Sequence, residues 1–194
     1  MKILFLITSL LWGVFASGQD INISEGVVFD GEPYLAINPT NSQHLVIAWM
    51  SFINLANQFK IKTKTSLDGG QTWTTAVELP HTVSSYSSAD PCVAFDLNGE
   101  VFISYIDFTG TTPPVTGGVY LCRSSDNGLS WSSPKPVVTS TFDGVQWPID
   151  RPWMVIDKSA GASSGTIYIS SMPLNRNSPP FRPYLSISTD TGNT

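Results

Sequence analysis

The sequence predicts an all-β chain, a β-propeller of four-stranded antiparallel blades present as an incomplete piece of about three blades. Three observations carry this expectation. One layout of short apolar runs returns at a near-constant interval: Pro33 to Pro91 is 58 residues and Pro91 to Pro152 is 61. The runs are rich in Val, Ile, Tyr and Phe and are bounded by Gly, Pro, Asn and Ser, which is the composition of strands and turns. A third feature is the pattern Ser-x-Asp-x-Gly-x-x-Trp, which stands whole at Ser66–Trp73 and Ser124–Trp131 and begins again at Ser188. Such a period must be settled before any local motif is read.

Each unit lays out in the same order. A first strand starts at "EPYLAIN" (32–38), "DPCVAFD" (90–96) and "DRPWMVID" (150–157). A second follows at "HLVIAWMSF" (44–52), "EVFISYIDF" (100–108) and "TIYISSMPL" (166–174). A third runs into the Asp-bearing turn at "KIKTKTSLDGG" (60–70), "VYLCRSSDNG" (119–128) and "RPYLSISTDTG" (182–192). A fourth, poorer in apolar residues, follows the Trp at "TTAVEL" (74–79) and "SSPKPVV" (132–138). The blades are therefore placed at 32–89, 90–149 and 150–194, the last one truncated, after a lead-in over 19–31. Three blades do not close a ring, so an apolar blade face is expected to lie bare.

The repeated turn reads as a fold element. Its Asp (Asp68, Asp126, Asp190) accepts hydrogen bonds from nearby backbone N–H groups, and its Ser (Ser66, Ser124, Ser188) starts the bend. Its Gly (Gly70, Gly128, Gly192) takes a positive φ cheaply. The Trp (Trp73, Trp131) buries a large ring while its N–H seeks a carbonyl.

Residues 1–18, "MKILFLITSLLWGVFASG", have a basic start, an apolar run from Ile3 to Phe15 and small residues at Ala16 and Gly18. This is the pattern of a secretory signal cleaved after Gly18, and it places the protein outside the cytoplasm: secreted, periplasmic or on the cell surface. The apolar run covers thirteen residues, short of the roughly 20 that span a bilayer. No membrane span is expected once the signal is removed. The net charge of −5 excludes nucleic acid as a natural partner. His44 and His81 share no ligand spacing with Cys92 or Cys122, so neither a metal nor a cofactor is expected. The two cysteines fall on the first and third strands of one blade, roughly 9–10 Å apart across two strand spacings, and are expected as buried free thiols. "GASSG" (161–165) matches an esterase nucleophile pattern, but it sits in a loop between two strands, where the required strand-to-helix turn is absent.

Antiparallel order sorts the loops into two ends. The Asp-bearing turns gather at one; the starts of first strands and the ends of second strands gather at the other. That second end collects Glu32, Asp90, Asp150 and Arg151, with Ser51 and Asp107 at the ends of second strands. Loops 53–59, 80–89, 109–118, 140–149 and 175–181 surround it, and Tyr86 and Trp147 in them are candidates to stack on a ligand. Each candidate has a plain structural alternative. Glu32, Asp90 and Asp150 are read as equivalent positions that bind a ligand or cap the first strand of each blade. Arg151 is read as having no charged counterpart; it pairs with Asp150 or Asp90, or grips a carboxylate. Asp107, opposed by Ser51 and Pro173 in the other units, is the candidate catalytic acid, or else a loop-stabilising Asp. Trp147 is a platform or is packed beneath its loop.

The Ser-x-Asp-x-Gly-x-x-Trp pattern resembles the Asp box, or bacterial neuraminidase repeat, of sialidases and related propellers, over 32–194. The resemblance implies a sialidase-like six-bladed propeller whose boxes lie away from the active face. It also implies a glycoside hydrolase mechanism with an arginine triad, an acid/base Asp and a Tyr–Glu pair. The position of the first arginine, two residues before Pro33, holds Gly31, and the loop "INLANQF" (53–59) carries no carboxylate for the acid/base role. The expectation is therefore a non-sialidase member that binds a glycan or an extracellular protein on the face opposite the boxes. An exo-glycosidase with catalytic residues partly in further blades is the alternative, and a structural or adhesion propeller is a third reading.

Overall fold

The computed structural model describes residues 20–193, apart from 25, 27, 54, 143, 145 and 175–181. The expected signal (1–18), the loop 175–181 and Thr194 lie outside the described residues. The described chain is built of strands: β1 (Asp30–Asn38), β2 (Asn41–Ile53), β3 (Gln58–Ser66), β4 (Val77–Glu78), β5 (Ser87–Phe95), β6 (Val101–Phe108), β7 (Gly117–Ser124), β8 (Lys135–Thr139), β9 (Ile149–Ile156), β10 (Ile167–Pro173) and β11 (Tyr184–Ser188). They form three antiparallel meanders, β1-β2-β3-β4, β5-β6-β7-β8 and, with three strands, β9-β10-β11. These are blades 1, 2 and 3. The fold is an all-β, sialidase-like propeller piece, as the repeat predicts.

Burial along each strand records what covers it. β6, in the middle blade, is buried at seven consecutive positions, Val101 to Asp107. A sheet covered on both faces has no solvent side, so alternation vanishes. In blade 3, β9 alternates buried and more open residues, with Met154 and Ile156 buried and Trp153 and Val155 exposed. One face packs on blade 2 and the other meets no described element. Val46, Ala48 and Ile61 of blade 1 join Val93, Phe95 and Ile103 of blade 2 in one core cluster. Phe102, Val119 and Leu121 on the far side of blade 2 join Met154, Ile167 and Ile169 of blade 3 in another.

The fourth strands are shorter than the composition suggests, β4 being only Val77–Glu78, because "TTAVEL" carries few residues that suit a pleated, half-buried surface. The lead-in lies along blade 1: the Lys64 ammonium donates to the Ile23 carbonyl (2.8 Å), and the Phe52 N–H donates to the Phe29 carbonyl (3.0 Å). Cys92 on β5 and Cys122 on β7 are both free and buried. Burial pushes the Cys122 thiol up to about 12 and raises that of Cys92. "GASSG" stands in the turn between β9 and β10, where the Ser163 hydroxyl donates to Asp157 (2.5 Å), a bond to its own loop. Among the described residues, no helix is long and apolar enough to cross a membrane.

Candidate functional site

The two ends of the blades are built from different local chemistry. At the far rim, the Ser66 hydroxyl donates to Asp68 Oδ1 (2.8 Å) and accepts the Gly70 N–H (2.8 Å). Asp68 also accepts the Thr72 N–H (2.9 Å) and hydroxyl (2.6 Å). The second copy repeats this with Ser124, Asp126, Gly128 and Ser130. In the third, Ser188 donates to Asp190 (2.8 Å) and Gly192 donates to Ser188 (2.9 Å). Hydroxyl and amide donors from Thr72, and then from Ser66, hold Asp68 at about 2; those from Ser130 and Ser124 do the same for Asp126. Trp73 donates to the carbonyl of Gly70 in its own turn (3.1 Å), whereas Trp131 reaches across to Thr63 of blade 1 (3.0 Å). Gly128 presses on the same blade: at φ +82, a Cβ there would meet Thr65 Oγ1 at 2.7 Å. The box of one blade thus clamps the blade before it.

At the opposite end each inner strand contains an X-Pro step: Glu32-Pro33, Asp90-Pro91 and Arg151-Pro152. Proline has no N–H to give the ladder, and the register shifts at each of these places. The residue before each Pro has a positive φ: 53° at Glu32, 52° at Asp90 and 51° at Arg151. Such backbone costs of order 1–3 kcal/mol per residue and persists only where its surroundings enforce it. Here a bond between blades does so. Glu32 Oε2 accepts the Asp90 N–H (3.0 Å), and Asp90 Oδ2 accepts the Arg151 N–H (3.1 Å).

This register corrects the equivalence drawn from sequence. Arg151, not Asp150, occupies the place of Glu32 and Asp90; Asp150 matches Gly31 and Ala89. Alignment on acidic residues misled, because proline fixes the bulge. Arg151 therefore has charged counterparts, and it reverses their sign.

Glu32, Asp90, Asp150 and Arg151 converge. Partial burial, and then the neighbouring Asp90, raise Glu32 from its ordinary 4.5 to about 7. Burial, and then Asp90, likewise raise Asp150 to about 6. Burial pushes Asp90 upward too, but hydrogen bonds with Glu32 and Asp150 outweigh it and leave Asp90 below its ordinary value. Neighbouring carboxyls oppose one another's ionisation; the middle one ionises first, and Glu32 and Asp150 give up their protons only at higher pH. The Arg151 Nε lies 3.9 Å from Asp150 Oδ2, and its side chain is 69% exposed. Glu32, Asp90 and Arg151 border an open cleft of about 220 Å³, with Pro33, Tyr34, Pro91 and Trp153 as its other walls; Asp150 lies beside Asp90 but is not among the described residues that wall it.

Tyr34 and Trp153, each following its proline, are the aromatic walls, and sequence reasoning passed over both. The signal lies in reading "EPY", "DPC" and "RPW" as one column; Cys92 in the middle copy masks it. The loop aromatics lie elsewhere. Tyr86 is 8% exposed and donates its hydroxyl to Thr116 (2.7 Å), so its ring is closed between loops and offers no platform. Trp147 is half-buried in the coil before β9 and is not among the described residues that wall the cleft.

Asp107 is placed away from the cleft as well. It is 0% exposed. Its Oδ2 accepts the Thr82 N–H (2.6 Å) and hydroxyl (2.7 Å), and its Oδ1 accepts the Ser88 hydroxyl (2.9 Å) and lies 2.8 Å from His81 Nδ1. A carboxylate so enclosed touches no substrate. The catalytic reading of Asp107 gives way to the loop-stabilising one: it anchors the 80–86 segment between blades 1 and 2. Among the described residues, no group of His, Cys, Asp and Glu is arranged to hold a metal ion.

No protein-family model and no curated protein matches the chain. Solved structures do. It is similar to a Hadza microbial sialidase (19% identity, TM-score 0.59, covering 85% of this chain and 36% of that one). It is also similar to a protein of unknown function from Dyadobacter fermentans (21%, 0.58, covering 84% and 52%). A third is the α-L-arabinanase of Penicillium chrysogenum, determined with arabinobiose (19%, 0.56, covering 85% and 43%). The chain thus spans roughly a third to a half of the length of these structures. The likeness concerns the fold.

Proposed function

We propose that this chain is part of an exported, non-sialidase propeller that binds a glycan in the cleft of Glu32, Asp90 and Arg151. The observation that carries the reading is the convergence, from three successive inner strands, of two carboxyls and a guanidinium in one cleft with two aromatic side chains. Sugar recognition uses these components: carboxyls accept and donate bonds to hydroxyls, and aromatic faces cover the apolar C–H face of a ring. Glu32, raised to about 7, donates when protonated, and Asp90, held below its ordinary value, accepts, so the cleft offers both roles. The glycan-acting neighbours of the same fold support the choice of ligand class, and the lead sequence 1–18 supports export.

A second reading is an exo-glycosidase, favoured by the raised Glu32 beside the lowered Asp90. Against it stand Gly31 at the first-arginine position and the loop 53–59, which carries no carboxylate. One experiment separates the readings. The purified chain is screened against an array of neutral and acidic glycans and assayed with fluorogenic glycosides. Binding that Trp153→Ala weakens about tenfold, the worth of one aromatic contact, with no glycoside released, supports the binding reading. Turnover that Glu32→Gln abolishes supports the enzyme, and neither binding nor turnover overturns both.

A further inference from the structure

Charge in the axial cleft does not balance. Two of its walls are carboxyls, Glu32 and Asp90, and among the described residues Arg151 is the one cation that walls it. That cation leans toward a third carboxyl: Arg151 Nε lies 3.9 Å from Asp150 Oδ2. What Arg151 gives Asp90 directly is its backbone N–H (3.1 Å). Burial is the strongest influence on both Glu32 and Asp90, and the charge of Arg151 is the weakest of those that act on them. With the guanidinium drawn to Asp150, Glu32 and Asp90 oppose one another's ionisation and lack a cation of their own. A cation brought by the ligand lets both ionise and turns a repulsion into two charge-assisted hydrogen bonds.

We infer that the glycan held here is an amino sugar, its free ammonium set against Glu32 and Asp90 and its ring laid on Trp153, an inference that rests on the glycan reading above. The aromatic walls Tyr34 and Trp153 suit such a ligand twice over. An aromatic face covers the C–H face of a sugar ring, and it also attracts a cation within about 6 Å of its centre. The cleft is small, about 220 Å³, so flat face and charge must arrive on one compact unit. An amino sugar carries its nitrogen directly on the ring, whereas lysine carries it on a flexible four-carbon stem. A sugar carboxylate would meet Glu32 and Asp90 as a third like charge, and an N-acetylated sugar brings no charge at all. Among the described residues, no group of acids is arranged to hold a metal ion, which leaves an organic cation as the partner of this pair. The net charge of −5 draws a cationic glycan toward the protein.

Isothermal titration calorimetry of the purified chain tests this with tetramers of glucosamine, N-acetylglucosamine and galacturonic acid, and with tetralysine. The glucosamine tetramer should bind about tenfold or more tighter than the other three, the worth of one charge-assisted hydrogen bond. Its affinity should rise from pH 5 to about pH 7, where Glu32 ionises. It should fall again above about pH 8, where an ordinary α-amine loses its own proton. Glu32→Gln, which keeps an oxygen for the Asp90 N–H, should remove the rise; Trp153→Ala should weaken binding about tenfold and keep it. The profile of the unsubstituted protein reads the same rise without any variant. If the N-acetylated or acidic tetramer binds as tightly, and Trp153→Ala weakens it, the glycan reading stands and the amino-sugar inference falls. Tetralysine binding as tightly as the glucosamine tetramer would reduce the effect to charge attraction and overturn the inference. If no sugar binds, both fall.

Discussion

The two ends of these blades both carry a repeated acid at a bend, and they hold it in opposite ways. At the rim, Asp68 and Asp126 take every bond from their own turn, and those donors hold both at about 2. At the axial end, Glu32 and Asp90 each reach across to the next blade's backbone and lie against one another. There burial and crowding dominate, and Glu32 and Asp150 rise to about 7 and about 6. Repetition by itself therefore does not separate a staple from a site. The supply of local donors does: a carboxylate saturated by its own turn is spent, and one facing other carboxyls keeps exchangeable protons and free lone pairs.

Substitutions can break or sharpen this contrast. The largest effect belongs to Asp107, the buried acid outside both clusters. Asp107→Ala leaves the buried donors of Thr82, Ser88 and His81 without an acceptor and is expected to cost about 3–5 kcal/mol in urea unfolding. Ligand affinity of the remaining folded protein stays unchanged. A stable Asp107→Ala protein that has lost ligand binding would return this residue to the site. Next comes Asp126→Ala at the rim, expected to cost about 1–2 kcal/mol by releasing the Ser124 and Ser130 bonds in a solvent-facing turn. Its readout is a lowered Tm with binding intact.

The axial acids give a smaller effect with a distinctive pH signature. The folded state raises Glu32 and Asp150 above their ordinary 4.5 and 3.8. It therefore binds more protons than the unfolded chain, and their contribution is fully present below about pH 4 and is lost as pH rises through about 6 and about 7. Asp90, held below its ordinary value, contributes in the opposite sense: its share is lost as pH falls. Urea midpoints measured from pH 5 to pH 8 should fall with rising pH, and Glu32→Gln should flatten that slope. An unchanged slope in the variant would show that Glu32 does not hold the proton. Smallest of all is Arg151→Ala, whose 69% exposed side chain makes its loss worth under about 0.5 kcal/mol of stability.

The blades were legible because a period near sixty residues survives in the prolines and the boxes even where the strands diverge. The axial cluster was legible as a place, since antiparallel order alone brings the strand starts together. Its composition was only partly so. Arg151 was misaligned because the eye follows acids, whereas the chain follows the bulge that proline imposes. Tyr34 and Trp153 were hidden by Cys92, whose small thiol breaks the column of aromatics. Tyr86 and Asp107 looked exposed because nothing local in "HTVSSYSS" announces that 80–86 folds back to seat Thr82 and His81 on a carboxylate. Such a contact joins residues 25 and 26 positions apart and leaves no periodic trace.

Carbon-detected NMR titration of the labelled side-chain carboxyls addresses the contrast between the two ends most directly. The Asp126 carboxyl should stay ionised down to about pH 2, and those of Asp150 and Glu32 should titrate near about 6 and about 7. If all of them titrate together near their ordinary values of 3.8 and 4.5, the axial acids are neither crowded nor proton-bearing, and the account fails.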